Sequence, residues 1–139
     1  MISPDGIHLA LAVDLDDALY LPVLRDCDQR TSAQLQAAIE ETVALLSRQM
    51  LPPDRLAGGC MALSNLGMYP LDAFDPIIFP GHSGILALGA IQRVPIITGE
   101  QLVIRPVLRA TLAVDHRAIN GRLAAAFLTD IKQQIEEII

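Results

Sequence analysis

No tryptophan occurs in the chain, and aromatic residues make up only 4% of it. The core has to be built from aliphatic side chains, since the apolar types together reach 52% of the sequence. Charge is scarce as well. Asp, Glu, Lys and Arg account for 19%, below the roughly 25% of an ordinary globular chain. Such a surface is expected to be partly hidden against other subunits. Basic residues are few, 10 against 16 acidic ones for a net charge of −6. No stripe of Lys and Arg is available to displace counterions from phosphates, which argues against a nucleic-acid partner. Apolar runs such as "ILALGAI" and "AAAFL" are closed off by polar or turn residues, far short of the roughly 18 residues that a membrane span needs. "MISPDGIH" places a proline and a glycine where a signal peptide has an apolar helix, so a soluble, cytoplasmic protein is expected. Two cysteines, Cys27 and Cys60, make no metal-binding spacing with each other or with His8, His82 and His116. They read as free thiols, and no metal site is expected.

With 139 residues the chain has the size of one domain, able to bury about two thirds of its unfolded surface. Residues 1–139 are read as a single unit, without repeat, linker or low-complexity tract. "GIHLALAV", residues 6–13, reads as a strand after a "PDG" turn. "DLDDA" reads as an acidic turn leading to a second strand at "LYLPVLR", so that the two form a hairpin. Leu35, Ile39, Val43, Leu46 and Met50 recur at steps of three or four and mark one face of a helix from Ser32 to Met50, capped by Thr31 or Ser32. "LPPDRLAGG" breaks that helix, and a short strand follows at "CMALSN". "GILALGAI" reads as a strand buried on both sides. "VPIITGEQLVIRPV" reads as two strands joined at "TGEQ", with the sheet continuing into "LRATLAVD". Leu123, Phe127, Ile131, Ile135 and Ile138 then predict a closing helix laid on the sheet. Together these elements predict a two-layer α/β sandwich with a mixed sheet.

"AVDHRAING" sets His116 where a strand ends and a helix begins, so its ring can point out of the sheet edge. Taken alone, a histidine between Asp115 and Arg117 is more often a surface or capping residue than a catalyst. The neighbourhood decides. "TLAVDHRAINGRLAAAFLTDIK" resembles the DHRxxDG signature and Ala-rich helix of the dihydrolipoyl acyltransferases, the E2 catalytic cores of 2-oxoacid dehydrogenase complexes. "GGCMALSNLGMYPLDAFDPIIFPGHSGILALGAI" is similar to the family's GGTFTISNLGMFG segment and the strand after it. "LYLPVLRDCDQRTSAQLQAAIEETVALLSRQMLPPDRLAGG" is similar to its GLVVPVIRD turn, helix and connector. The motifs come in the family's order and cover nearly the whole chain.

The resemblance implies the chloramphenicol acetyltransferase-like fold and acyl transfer between a thioester and a thiol or hydroxyl acceptor. Dihydrolipoamide and coenzyme A are the implied substrates, with the lipoamide on a separate carrier domain because no lipoyl-lysine turn is present here. It implies His116 as general base, Ser64 as oxyanion hydrogen-bond donor, and a site shared between two subunits of a homotrimer or higher assembly. A thiol with an ordinary pKa near 8.5 needs such a base at neutral pH. The family pattern has aspartate four residues after its histidine, where this chain has Asn120. An amide keeps the loop-supporting role by hydrogen bonding and gives up an ion pair. If the partner arginine is missing, Asn avoids a buried unpaired charge, so Asp at position 120 is expected to destabilise. The family's catalytic domain also has a further stretch before the point where this chain starts. A second subunit supplying that half, or a non-catalytic assembly subunit, is the alternative expectation. Smaller signals carry less. "GHSG" lacks the glycine at position 85 that a hydrolase elbow requires. Asp14, Asp16 and Asp17 fit a solvated turn better than a cation loop. His8 and His82, among apolar residues, read as structural.

Overall fold

The computed structural model describes residues 6–138. The first residues of the expected "PDG" turn lie outside that range. The chain forms strands β1 (Leu9–Leu11), β2 (Val13–Leu15), β3 (Ala18–Tyr20) and β4 (Val23–Leu24), helix α1 (Ser32–Ser47), strands β5 (Met61–Asn65), β6 (Gly84–Leu88), β7 (Gln92–Thr98), β8 (Gln101–Val107) and β9 (Ala110–Val114), and helix α2 (Gly121–Ile138). Five strands make the main sheet in the order β4-β1-β5-β6-β9. β1, β5 and β6 run parallel, while β4 and β9 are antiparallel edge strands. The α/β class and mixed sheet are those expected.

Register explains the core. Val23 pairs with Ala10, Ala10 with Ala62, Ala62 with Ile85, and Ile85 with Ala113. That row crosses all five strands on one face, and its first four members are the buried core, covered by Leu21, Ile78 and Phe79. Alanines at two of the positions leave room for the larger side chains beside them, a small-against-large fit that fills the layer. Truncating Ile85, 2% exposed, would open a cavity costing about 3 kcal/mol.

The first hairpin is tighter than the periodicity predicts. β2 and β3 pair through Leu15 and Ala18, leaving a two-residue turn, Asp16–Asp17, with φ of 52° and 61°. Both residues adopt the left-handed conformation of a type I′ turn, which follows the twist of the strands it joins. Asp14 belongs to the strand, and the ladder breaks before β1 and β4 resume it. α1 begins at Thr31, whose hydroxyl accepts from Gln34 N while the Gln34 side chain accepts from Thr31 N. This reciprocal cap satisfies two otherwise unpaired donors.

The buried line of α1 is Ala38, Thr42 and Leu46; of the predicted face Leu46 is buried and Leu35 and Ile39 are half-buried, while Val43 and Met50 fall away from it. Val43 is 37% exposed, and Met50 lies beyond the helix end. Thr42 wins the inward position because its hydroxyl is satisfied twice over: it donates to Ala38 O at 2.6 Å and accepts from Arg55 at 2.6 Å. Two further expectations are corrected. β7 and β8 form a separate two-stranded ribbon, so the sheet passes directly from β6 to β9. α2 is not laid on the sheet, since none of its described residues is buried and Leu123, Phe127 and Ile135 stay at least 43% exposed. Its amphipathic spacing is real, but among the described residues the apolar stripe is covered only in part, Leu128 and Ile131 being half-buried. No helix among the described residues is long and apolar enough to cross a membrane.

Candidate active site

β9 delivers His116 to one end of the sheet. Asp115 N donates to Ser83 O at 2.9 Å, and Asp115 O accepts from Ala118 N and Ile119 N at 3.0 and 2.9 Å. These bonds fold residues 115–119 into a tight turn with His116 exposed on it. The Asp115 carboxylate holds the same turn from the side. It accepts from Arg117 N at 3.0 Å, from Arg117 Nε at 2.9 Å and from Arg117 Nη2 at 2.6 Å. Arg117's side-chain and backbone donors hold the Asp115 carboxyl at a pKa of about 2, so the pair stays ionised at neutral pH. The charges flanking His116 are thus spent on each other, and its ring is left for other chemistry. A cleft of about 690 Å³ opens here between the Ile78–Ser83 segment and the Val114–Arg117 turn.

Asn120 closes the turn by capping α2. Its Oδ1 accepts from Leu123 N at 2.9 Å, the interaction that Asn and Asp both provide at helix starts. Asn120 is exposed, so an aspartate here would be neither buried nor unpaired. The expectation that Asp would be destabilising is therefore corrected by the position itself.

Ser64 sits near the end of β5, opposite Ala87 of β6. Asn65 then turns the chain, its Oδ1 accepting from Gly67 N at 2.8 Å. Ala87 in turn faces Thr111 of β9, whereas Val114 faces Gly84 at the other end of β6. Ser64 and His116 therefore lie toward opposite ends of one sheet, roughly 19 Å apart at strand and interstrand spacings of ~3.3 and ~4.8 Å. The structure brings His116 together with Asn120 and keeps Ser64 away from both.

The same topology gathers residues that the sequence left scattered. Because β1 and β6 start where β9 ends, all three histidines stand at one end of the sheet. His8 Nδ1 accepts from Asp26 N at 3.0 Å, a structural role as expected. His82 lines the His116 cleft, which sequence reading missed. Its signal was positional: "GHSG" precedes a parallel strand and "DHR" follows an antiparallel neighbour. Cys27 and Cys60 are both unbridged. Among the described residues no group of His, Cys, Asp and Glu is arranged to hold a metal ion.

Residues 1–139 match the family described as 2-oxoacid dehydrogenases acyltransferase (catalytic domain). The dihydrolipoyllysine-residue acetyltransferase component of the acetoin cleaving system of Bacillus subtilis is 34% identical over 99% of this chain and 34% of its own length. A mitochondrial dihydrolipoyllysine-residue succinyltransferase component of Arabidopsis thaliana is also 34% identical, over 99% of this chain and 30% of its length. The chain spans about a third of the length of these curated relatives. Among solved structures, the dihydrolipoamide acetyltransferase of Azotobacter vinelandii superposes with a TM-score of 0.93 at 31% identity, over 99% of this chain and 56% of that one. That work concerns the role of a serine, a histidine and an asparagine in the catalytic mechanism. They are spaced 52 and 4 residues apart, as are Ser64, His116 and Asn120 here. Asparagine after the histidine is thus shared with that relative. The chain belongs to the acyltransferase catalytic-domain family of the 2-oxoacid dehydrogenases and has its chloramphenicol acetyltransferase-like fold.

Proposed function

We propose that the protein is an acyltransferase whose site is completed by a second copy of the chain, with His116 of one copy and Ser64 of the next facing the same acyl group. The observation that carries this reading is the placement of the two residues toward opposite ends of one sheet, Ser64 on its central strand β5 and His116 just beyond its edge strand β9. Only another chain can bring the hydroxyl to the imidazole. The serine, histidine and asparagine spacing of the Azotobacter relative supports the choice of residues.

The chemistry follows from the groups. His116 takes the proton from an incoming thiol, and the thiolate attacks the thioester carbonyl carbon. Negative charge then gathers on the carbonyl oxygen, where a donated hydroxyl hydrogen bond lowers the barrier by about 3 kcal/mol. Collapse breaks the bond to the departing sulfur, which recovers the proton from the imidazolium. Asn120 caps α2 and holds the His116 turn. Dihydrolipoamide on a separate carrier domain and coenzyme A are the substrates that the family points to. A cytoplasmic homotrimer or larger shell is the assembly proposed, consistent with a neighbour at 34% identity that is the cubic core of a pyruvate dehydrogenase complex.

The exposed part of the α2 stripe, Leu123, Phe127 and Ile135, favours a second reading, a non-catalytic assembly subunit. Formation of coenzyme A from acetyl-CoA in the presence of dihydrolipoamide, resolved by chromatography because the transfer leaves the total thiol count unchanged, separates the two. Turnover that His116→Ala lowers by roughly 10² or more supports the transferase. Equal background rates for wild type and His116→Ala leave only the assembly role.

A further inference from the structure

A second imidazole borders the cleft of His116. The β6–β9 ladder ends at the Gly84 and Val114 pair, and the Asp115 N to Ser83 O bond of 2.9 Å carries the pairing one step outward. The next residues in that register are His82 and His116, and both line the cleft. The GHSG and DHR segments thus form one structural unit at the sheet end.

Neither nitrogen of His82 has a hydrogen-bond partner among the described residues, and both are shielded from solvent. The ring packs edge-on against Phe79, with centroids 6.3 Å apart. Gly59 also lies close to the ring, a Cβ there coming within 3.2 Å of Nε2. A neutral imidazole carries one N–H and one lone pair. Shielding both without partners is a cost that folded proteins rarely retain without a use. No hydrogen bond tethers the ring, so turning it into the open cleft breaks none.

We propose that His82 is a substrate-binding residue of this cleft, hydrogen-bonding an amide in the arm of the thiol substrate. The proposal rests on the acyltransferase reading and deepens it. Either group of an amide can satisfy the ring, its carbonyl accepting from the imidazole N–H or its N–H donating to the imidazole lone pair, whereas a thioester or an ionised phosphate can meet only the N–H. Ile78, Phe79, Pro80 and Val114 beside the ring offer an apolar wall for an aliphatic arm. Dihydrolipoamide and the pantetheine end of coenzyme A both carry an amide, and the test separates them.

His82→Phe keeps an aromatic ring against Phe79 and removes both hydrogen-bonding groups. It is expected to raise KM for the amide-bearing substrate roughly fivefold to tenfold, with little change in kcat, and His82→Gln is expected to recover most of the loss. A rise confined to dihydrolipoamide assigns the lipoyl arm, and one confined to acetyl-CoA assigns pantetheine. A 1,3-dithiol of similar length without an amide should be used equally well by wild type and variant. Unchanged KM values, an equal rise for the amide-free dithiol, or a changed solution mass in place of a KM effect would overturn the assignment. Wild type without turnover would sink the acyltransferase reading alone. Binding is then read from the His82 ring-proton resonance, identified by its loss in His82→Phe, on titration with dihydrolipoamide and with pantetheine. A shift with either supports the site, and none with both refutes it.

Discussion

Separating Ser64 from His116 in the fold has a consequence that mixing experiments read directly. From Ser64 the register crosses two interstrand gaps to β9 and runs several residues along it before reaching His116. At roughly 19 Å between backbones, no pair of rotamers puts a serine hydroxyl and an imidazole on one acyl carbon, since that requires reacting atoms about 3 Å apart. Ser64→Ala and His116→Ala should therefore each abolish most activity when purified alone, by roughly 10² or more. Co-expressed, they should regain it. In a mixed trimer, which holds the two variants in either 2:1 ratio, about one site in three receives its serine and its histidine from unmutated segments, so the doubly purified particles should reach roughly a third of the wild-type rate. The assay is coenzyme A formation from acetyl-CoA with dihydrolipoamide, resolved by chromatography, on mixed particles isolated through two different affinity tags. Mixed particles no more active than their parents would refute the shared site.

Four further outcomes follow from individual contacts. Asn120→Asp should leave the melting temperature unchanged or slightly raised, because Asp caps a helix as well as Asn and adds charge at the positive end of α2, while Asn120→Ala should lose about 1 kcal/mol in urea unfolding. Asp17→Gly should raise stability by about 1 kcal/mol, since glycine takes the left-handed turn conformation at φ 61° without strain. The Asp115 carboxyl is held at about 2 by Arg117. Because its folded pKa lies below the ordinary value, the stabilisation is complete above the usual carboxylate range and is lost as pH falls through about 2. Melting curves of wild type and Arg117→Gln from pH 6 to 2 should therefore converge at the acid end, and parallel curves would count against the pair. Burial raises the Cys27 thiol above its ordinary pKa, so iodoacetamide at pH 8 should label it more slowly than an unfolded control.

Local periodicity and turn chemistry made most of the strands and both helices legible. Thr31 announces the start of α1, whereas its end comes at Ser47, ahead of the proline pair that sequence reading took as the break, with Gln49 in the left-handed conformation at φ 57°. Alternation and Gly-rich breaks located β5 and β6, and the DHR segment marked His116 from sequence alone. Each of these signals depends on neighbours along the chain.

The tertiary structure decided what depends on partners across it. Thr42 took the inward position on α1 because Arg55 and Ala38 O satisfy its hydroxyl, a pairing invisible to a helical wheel. β7 and β8 left the sheet as a ribbon although their alternation matches that of any sheet strand, because side-chain period specifies a strand and not its neighbour. His82 and His116 met, and Ser64 was carried to the far end, through strand direction alone. By itself the sequence determined which segments are strands and helices and which residues can do acid–base chemistry, because period, caps and functional groups are local. Which of those residues share a site was decided only when parallel and antiparallel pairing fixed the end of the sheet at which each of them emerges.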